Sequence, residues 1–349
     1  MKLLTARGFG DLILEDSEPP TIGPGQVLVR NRVSAVSAGT ERRMLYGRAG
    51  DVREHAPDFP VHGAFGYLAA GDILEVGHDV VGLAPGDRVS CGRVWGAHRE
   101  LLDTDAGSVI TIPDSMSYLE GAASYWAVPP MAGILAAAPR LYGDAAVIGL
   151  GPLGLCAVQM LTPMSRRVAA IDLVATRSAL ASRYGAVGID SSATDPVEAV
   201  REAMPLGPEV VIEASGTQAG LELALEIARP LARIALVGVP PPLHAMNLFW
   251  PMQVKGLRLV PLHREGAASP QGGGPGSPRQ TYLPDVIDMI SKKRLDIEGL
   301  TSWVVPPERA REAMDLIHHH PERALGTAFA WDPSQVRALD GFEAAVAAG

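Results

Sequence analysis

AAVIGLGPLGLCAVQ, residues 145–159, is the stretch that decides the fold of this chain. Its apolar run Ala145–Ile148 is followed by a glycine turn made of Gly149, Leu150, Gly151, Pro152, Leu153 and Gly154. The residues after this turn have the pattern of a helix. In such a turn the first glycine permits a tight bend, the second lets a phosphate approach the backbone, and the third lets the helix pack closely on the strand. The N-terminus of the helix offers oriented N–H groups to a pyrophosphate.

The acid that a dinucleotide site requires also stands in the expected place. A second apolar run, Val168–Ile171, ends in Asp172, and an acid about 20 residues after the turn can accept hydrogen bonds from the adenosine ribose. A strand before the turn, a helix after it, a second strand and an acid at its end together predict a bound dinucleotide. Asp172 favours NAD because it repels a 2′-phosphate, whereas Arg177 leaves NADP open.

Composition limits the class of protein. With 349 residues the chain is long enough for two domains, and 20% charged with 47% hydrophobic residues is typical of a soluble globular protein. The net charge of −9 argues against a nucleic-acid-binding surface. The N-terminal residues lack the apolar core of a signal peptide, and no apolar run approaches the ~20 residues of a membrane span. We therefore expect a cytoplasmic protein that acts on a small molecule and binds neither nucleic acid nor membranes.

The pattern of residues 1–123 is typical of β structure and turns, with strands at Gln26–Val33 and Tyr67–Gly77. From about Tyr125, strands alternate with helices. The predicted strands are Ala145–Ile148, Val168–Ile171, Val187–Ile189, Val210–Ile212, Ile234–Val237 and Leu257–Val260. The predicted helices between them include Leu153–Leu161, Arg177–Tyr184, Pro196–Ala203 and Ala219–Ala228. Six strands with helical crossovers predict an α/β fold with a doubly wound parallel sheet, whose ligand lies at the carboxyl ends of the strands.

The rest of the chain is predicted to fold back onto the N-terminal domain. Glycine and proline favour a loop over Gly266–Gln280, whose role as a lid stays open. The elements predicted after it are a helix at Tyr282–Lys293, a strand at Leu300–Val305, a helix at Pro307–His318 and a strand near Gly326–Ala330.

Several short segments, taken in order, carry a resemblance to a known family. They are PGQVLVR (24–30), GYLAAGDILEVG (66–77), PGDRV (85–89), VIGLGPLG (147–154), RYGA (183–186), VVIEASG (210–216) and IALVGVP (234–240). In this order the chain resembles the medium-chain dehydrogenase/reductase superfamily over nearly its full length. The resemblance implies a GroES-like, β-rich catalytic domain (1–123 and 294–349), a Rossmann domain between its parts (124–293), and a homodimer or homotetramer. The string SAGTE (37–41) is similar to a zinc-lacking group that includes bacteriochlorophyllide dehydrogenases.

The resemblance also shows where this chain departs from zinc-dependent alcohol dehydrogenases. Ala38 stands in place of a zinc-binding cysteine, Tyr67 in place of the zinc-binding histidine, and Leu68 in place of the neighbouring acid. The third ligand would fall near Tyr125–Ala127, where no Cys, Asp, Glu or His occurs. The chain has only two cysteines, Cys91 and Cys156, too few for a four-thiolate structural site. We therefore predict no zinc.

Without a metal, a hydroxyl group must stabilise the alkoxide that forms when a ketone accepts a hydride. Tyr67 is the first candidate because the family's metal ligand faces the active-site cleft from this position. Thr40 is the second, because its family counterpart relays the alcohol proton. Glu41 would orient either hydroxyl.

Each of these assignments has a structural alternative. Tyr67 would then only fill the space left by the metal, Thr40 would hydrogen-bond its own turn, and Glu41 would be a solvated or turn-stabilising acid. His62 is a further candidate base, whereas His98 resembles a structural residue of zinc-free members. The consecutive His318, His319 and His320 are expected to form a solvated helix end.

The resemblance places two further pairs of strand ends beside the adenosine ribose and the nicotinamide. Their residues are Ala214, Ser215, Val237, Gly238 and Val239. The leading hypothesis is a zinc-independent, NAD-dependent oxidoreductase that interconverts a secondary alcohol and a ketone, on a specialised-metabolite or tetrapyrrole-like intermediate. The alternatives are an NAD(P)H-dependent reductase of a conjugated C=C bond and a non-catalytic dinucleotide-binding protein.

Overall fold

A computed structural model describes residues 1–47, 63–92, 94–239, 243–262 and 278–348. Its contacts divide the chain into two compact units. Unit 1 comprises Met1–Tyr125, Glu265–Lys293 and Ile297–Gly349, and unit 2 comprises Trp126–Arg264 and Arg294–Asp296. The first boundary falls within two residues of the expected one. The sequence predicts a cofactor domain that extends to residue 293, whereas the described residues 278–293 are grouped with unit 1.

Unit 1 is built on a mixed sheet whose strands come from both the N-terminal and the C-terminal segments of the chain. Its strands are β1 (Lys2–Gly8), β2 (Asp11–Asp16), β3 (Gln26–Ala35), β4 (Gly63–Ala64), β5 (Leu68–Val76), β6 (Arg88–Gly92), β7 (Leu101–Asp105), β8 (Ile110–Thr111), β15 (Thr301–Val305) and β16 (Gly326–Ala330). The large sheet has the order β15-β16-β3-β5-β6-β8, with β7 also paired to β3, and β2-β1-β4 form a small sheet. The two C-terminal strands therefore join the sheet of the N-terminal segment.

The helices of unit 1 cover this sheet. They are α1 (Ala38–Tyr46), α2 (Tyr118–Ala123), α8 (Pro278–Ser291), α9 (Ala310–His319) and α10 (Leu339–Ala347). Met44 and Leu45 of α1 share one buried core cluster with Met314 and Ile317 of α9. This packing fixes α1 firmly, because buried side chains of this size each stabilise a fold by about 1.5–3 kcal/mol.

Unit 2 is a doubly wound parallel sheet, as predicted. Its strands are β9 (Asp144–Ile148), β10 (Arg167–Asp172), β11 (Val187–Asp190), β12 (Val210–Glu213), β13 (Arg233–Leu236) and β14 (Arg258–Pro261), in the order β11-β10-β9-β12-β13-β14. Its helices are α3 (Val128–Ala137), α4 (Pro152–Leu161), α5 (Ala175–Arg183), α6 (Pro196–Ala203) and α7 (Gln218–Ile227). Every residue of β9 and β12 is buried, which explains the apolar runs Ala145–Ile148 and Val210–Ile212 in a sheet covered on both faces.

The helices and strands predicted after residue 280 are observed with small changes in their bounds. Helix α8 begins at Pro278, so residues 278–280 are helical and not part of the predicted loop, while residues 266–277 lie outside the described ranges. The predicted helix at Pro307–His318 starts as a 3₁₀ turn before α9. Among the described helices, none combines the length and the apolar character that crossing a bilayer requires.

Candidate functional site

Two of the three glycines in the turn after β9 are required by packing. Gly149 has φ +85°, and a Cβ there would lie 2.6 Å from the backbone nitrogen of Ser215. At Gly154 a Cβ would lie 1.8 Å from the carbonyl oxygen of Gly149. Any larger side chain at either position would push strand, turn and helix apart.

Gly151 is different, because neither backbone nor packing demands a glycine there. Its φ is −67°, which every residue adopts, and, apart from its chain neighbours, no heavy atom of the described residues lies within 4 Å of the place where a Cβ would stand. It is the N-cap of α4, whose first residue is Pro152. The space above Gly151 is thus open at a helix N-terminus, where N–H groups attract anions. A pyrophosphate fits this cradle, since it needs bare backbone beside the N-terminus of a helix.

Asp172, at the end of β10, is hydrogen-bonded to the glycine turn. Its Oδ2 accepts a hydrogen bond from the backbone N–H of Leu150 at 2.6 Å, and its Oδ1 accepts one from Val174 at 2.9 Å. The Nη1 atom of Arg177 lies 3.8 Å from Oδ2. A carboxylate has about four acceptor sites, so two bonds to the backbone leave room for ribose hydroxyls. The arrangement brings Asp172 and Arg177 together beside the glycine turn.

Glu213 organises the next strand end, and the sequence analysis missed it. The side chain is 1% exposed and accepts hydrogen bonds from the N–H and hydroxyl of Ser215 and from the N–H of Gly216. Burial raises the pKa of Glu213 because the charged form loses its hydration. At Gly238 a Cβ would lie 2.2 Å from the nitrogen of Gly216, so the ends of β12 and β13 press together. Ala214 and Ser215 are therefore held in a fixed turn at the edge where a dinucleotide is expected.

In unit 1, the phenol of Tyr67 donates a hydrogen bond to the hydroxyl of Ser37. Ser37 is the N-cap of α1, and Tyr67 directly precedes β5. The ring of Tyr67 packs against Trp95, with 5.0 Å between the ring centroids and 56° between the planes. The phenol is therefore held at both its ring and its oxygen.

A buried chain of hydrogen bonds lies behind this pair. Glu41 Oε1 accepts from the backbone N–H of Ser37 at 2.9 Å, and Glu41 Oε2 lies 2.9 Å from Nε2 of His98. The other ring nitrogen of His98 lies 2.7 Å from Ser34 Oγ, which also accepts from the indole of Trp331 at 2.8 Å. Glu41 and His98 are both 0% exposed. Glu41 is therefore not solvated, and its bond to the N–H of Ser37 agrees with the alternative of a turn-stabilising acid.

Gly66 makes this arrangement possible. It has φ +79°, and a Cβ at this position would lie 2.2 Å from Cδ2 of His98. The carbonyl of Gly66 also accepts from the N–H of Gly96 at 2.8 Å. Only glycine lets the chain pass this close to the imidazole and still place Tyr67 beside Ser37.

The remaining candidates lie elsewhere. Thr40 is half-buried in the first turn of α1, and His62 lies outside the described ranges. His318 stacks on Tyr46, with 4.1 Å between the ring centroids, and its Nδ1 is buried with no hydrogen-bond partner among the described residues. Burial lowers the pKa of His318, so this residue is not the solvated helix end that we expected, although His319 is exposed.

The described residues do not fit a zinc ion. Within those ranges, no three His, Cys, Asp or Glu side chains are grouped so that they could hold a metal. Ala38 offers no ligand atom, and the hydroxyl of Tyr67 is bonded to Ser37. Cys91 and Cys156 are buried thiols, and burial raises the pKa of Cys156, which disfavours the thiolate that a metal needs. Three protein ligands, the minimum for catalytic zinc, are therefore not grouped together in the part of the chain that the structure describes.

Comparisons with known proteins agree on the class of this chain. Residues 152–269 match the model of a family described as zinc-binding dehydrogenase. A probable zinc-binding alcohol dehydrogenase of Mycobacterium tuberculosis is 27% identical over 89% of this chain and 83% of its own length. These matches are to zinc-type enzymes, so they disagree with the donor set of the described residues.

Two solved structures show the same fold. Galactitol-1-phosphate dehydrogenase from Escherichia coli superposes with a TM-score of 0.80 at 20% identity, over 95% of this chain and all of its own. A putative zinc-binding dehydrogenase from Sinorhizobium meliloti, bound to NADP, gives 0.76 at 22% identity over 94% of this chain and 98% of its own. By these comparisons the chain is similar to zinc-binding dehydrogenases of the alcohol-dehydrogenase type, and it has the fold of the two solved structures.

Proposed function

We propose that this chain is an NAD-dependent oxidoreductase that interconverts a secondary alcohol and a ketone without zinc. One observation supports the proposal: the phenol of Tyr67 is held by Ser37 and Trp95. By the sequence resemblance, Tyr67 corresponds to the histidine ligand of zinc-dependent alcohol dehydrogenases. Ala38, where those enzymes have a cysteine, has no donor atom. A polarising group is still needed at the reacting oxygen, and a phenol can supply it by hydrogen bonding.

Unit 2 supplies the proposed cofactor site. The open backbone at Gly151 and the N-terminus of α4 would hold the pyrophosphate, and Asp172 would bind the ribose hydroxyls. The fixed strand ends at Ser215 and Gly238 would pack against the remaining part of the cofactor. When bound, the nicotinamide supplies or accepts the hydride.

Tyr67 is the proposed acid and base. In the direction of ketone reduction its hydroxyl hydrogen would turn from Ser37 to the substrate oxygen, donate a hydrogen bond there and then be transferred as the proton. Thr40, half-buried in the same helix turn that begins at Ser37, is the second hydroxyl that would contact the substrate. Glu41 is a positioning residue, because its carboxyl reaches Tyr67 only through Ser37.

Asp172→Ala is expected to weaken NADH binding and to relax the discrimination against NADPH. The carboxylate repels a 2′-phosphate, and Arg177 beside it would then pair with that phosphate. Fluorescence titrations with NADH and NADPH measure both affinities. An unchanged ratio would remove Asp172 from the cofactor assignment and favour NADP, which the Sinorhizobium meliloti relative binds.

The proposed substrate is a secondary alcohol, since relatives carry the names of alcohol and polyol-phosphate dehydrogenases. The similarity of residues 37–41 to bacteriochlorophyllide dehydrogenases further suggests a specialised-metabolite intermediate. The test is a screen of secondary alcohols, ketones and enones with NAD(H) and NADP(H), followed by nicotinamide absorbance. Oxidation of an alcohol supports the proposal. Turnover of enones alone would instead assign a C=C reductase, and tight NADH binding without any turnover would assign a binding protein.

A further inference from the structure

Ser37 occupies a helix N-cap but does not act as one. A serine at this position normally accepts a hydrogen bond from a backbone N–H in the first turn. In α1 the side chain of Ser37 makes no such bond, and its oxygen is instead engaged by Tyr67. Ser117 shows the usual behaviour within the same unit: its hydroxyl accepts from the N–H of Glu120 at 3.1 Å in a complete capping box. The hydroxyl of Ser37 thus binds Tyr67 instead of capping the helix.

Glu41 holds the backbone of Ser37 in place of a normal cap. Its Oε1 accepts from the N–H of Ser37, and its other oxygen is bonded to His98. Both side chains are fully buried, and burying such a pair contributes little net stability compared with apolar packing. Because this buried pair adds little stability, its contact with the backbone of Ser37 is better explained by a need to orient Ser37.

We propose that Ser37 is a positioning residue that stabilises the ionised form of Tyr67, and this inference rests on the proposed function of Tyr67 as acid and base. When the Tyr67 O–H bond breaks, its proton forms the O–H bond of the product alcohol. The hydroxyl of Ser37 then rotates and donates its hydrogen to the phenolate oxygen, and the phenolate later regains a proton from water. The observed bond, in which the neutral phenol donates to Ser37, favours the neutral form. The bond that Ser37 donates to the phenolate is charge-assisted and about twice as strong, so on balance Ser37 lowers the pKa of Tyr67.

Protons do not pass from Ser37 along the buried hydrogen bonds to Glu41 and His98. The link from Ser37 to Glu41 is made by a backbone amide N–H, which does not give up its proton at ordinary pH. Glu41 and His98 therefore position Ser37 but carry no proton. Of the residues in this hydrogen-bonded chain, only Tyr67 and Ser37 take part in the proposed proton movement.

The direct test is an ultraviolet titration of tyrosine ionisation, which needs no substrate. The signal of Tyr67 is isolated as the difference between each Tyr67-containing protein and its Tyr67→Phe counterpart. Ser37→Ala is expected to raise the pKa of Tyr67 by about one unit, because a hydrogen bond to a charged group is lost. Ser37→Thr, which keeps the hydroxyl, is expected to restore the original value. Ser117→Ala, which removes a genuine capping serine, lowers the melting temperature but leaves the Tyr67 titration unchanged.

Activity gives an independent readout with any secondary alcohol found in the screen. Alcohol oxidation needs the phenolate, so Ser37→Ala is expected to shift the rising limb of the pH profile of kcat upward by about one unit with little change in KM. In the Tyr67→Phe background the same replacement should have no further effect, since Ser37 acts through Tyr67. If Ser37→Ala does not fold, Ser37→Gly replaces it, because glycine is also accepted at N-caps.

The outcomes separate this inference from the proposed function. If the enzyme oxidises alcohols and Tyr67→Phe slows it, but neither Ser37→Ala nor Ser37→Gly moves the titration, the role of Ser37 is refuted and the proposed function stands. If no alcohol is turned over but the titration moves and Ser37→Thr restores it, the coupling of Ser37 to Tyr67 stands and the proposed function fails.

Discussion

Tyr67→Phe is expected to lower kcat for alcohol or ketone turnover by at least about tenfold, equivalent to ~1.4 kcal/mol, while the affinity for NADH stays unchanged. Phenylalanine keeps the ring that packs on Trp95 but removes the only oxygen of this side chain. The substrate oxygen then loses both its hydrogen-bond donor and its proton source. Steady-state kinetics and an NADH titration on the same preparation separate the two effects.

The matched control is Tyr118→Phe. Tyr118 lies in α2 of the same unit and also donates its phenol to a side chain, that of Asp72. Its removal should affect stability but not kcat, so a loss of activity confined to Tyr67→Phe cannot come from losing a phenol hydrogen bond in general. A fully active Tyr67→Phe enzyme would reduce Tyr67 to a packing residue.

Gly151→Ala is expected to weaken NADH binding by about tenfold or more without loss of stability. Apart from its chain neighbours, the added methyl group meets no atom of the described ranges within 4 Å, and the φ of −67° suits alanine. Its only effect is to fill the space in which a pyrophosphate would approach the backbone. Isothermal titration with NADH gives the affinity, and thermal unfolding gives the stability.

Two other glycines provide the controls for this replacement. Gly25→Ala also meets nothing within 4 Å but lies in unit 1, so it should leave NADH binding unchanged. Gly154→Ala places a methyl group 1.8 Å from the carbonyl oxygen of Gly149 and should destabilise unit 2 itself. Wild-type affinity for NADH in Gly151→Ala would refute the cofactor site.

The fold of unit 2 could be predicted because its signals are local. Each strand is a short apolar run that stops at a turn residue, as at Ile148 before Gly149, and the six predicted strands match the six observed ones within two residues. Helix α10 gave no such signal, since Phe342 is its only fully buried residue in an alanine-rich segment. The glycine and proline content of residues 266–280 predicted a loop, whereas helix α8 already includes Pro278.

The candidate site could be predicted only in part, because its contacts join distant segments. Asp172 and the glycine turn were identified from their spacing along one chain segment. The bond between Glu41 and His98 spans 57 residues, and the bond between Ser34 and Trp331 spans 297. Nothing in the sequence near Ser37 indicates that its hydroxyl leaves the helix N-terminus for Tyr67. Only the folded sheet, which brings β3, β5 and β16 together, reveals it.

The central claim is that hydroxyl groups, and not a metal, manage the oxygen chemistry of this protein. The most direct measurement is the zinc content of purified, active enzyme, determined together with its turnover before and after exhaustive chelation. We predict well under one zinc ion per chain and an unchanged rate after chelation. A stoichiometric zinc ion whose removal abolishes turnover, and whose return restores it, would contradict the account.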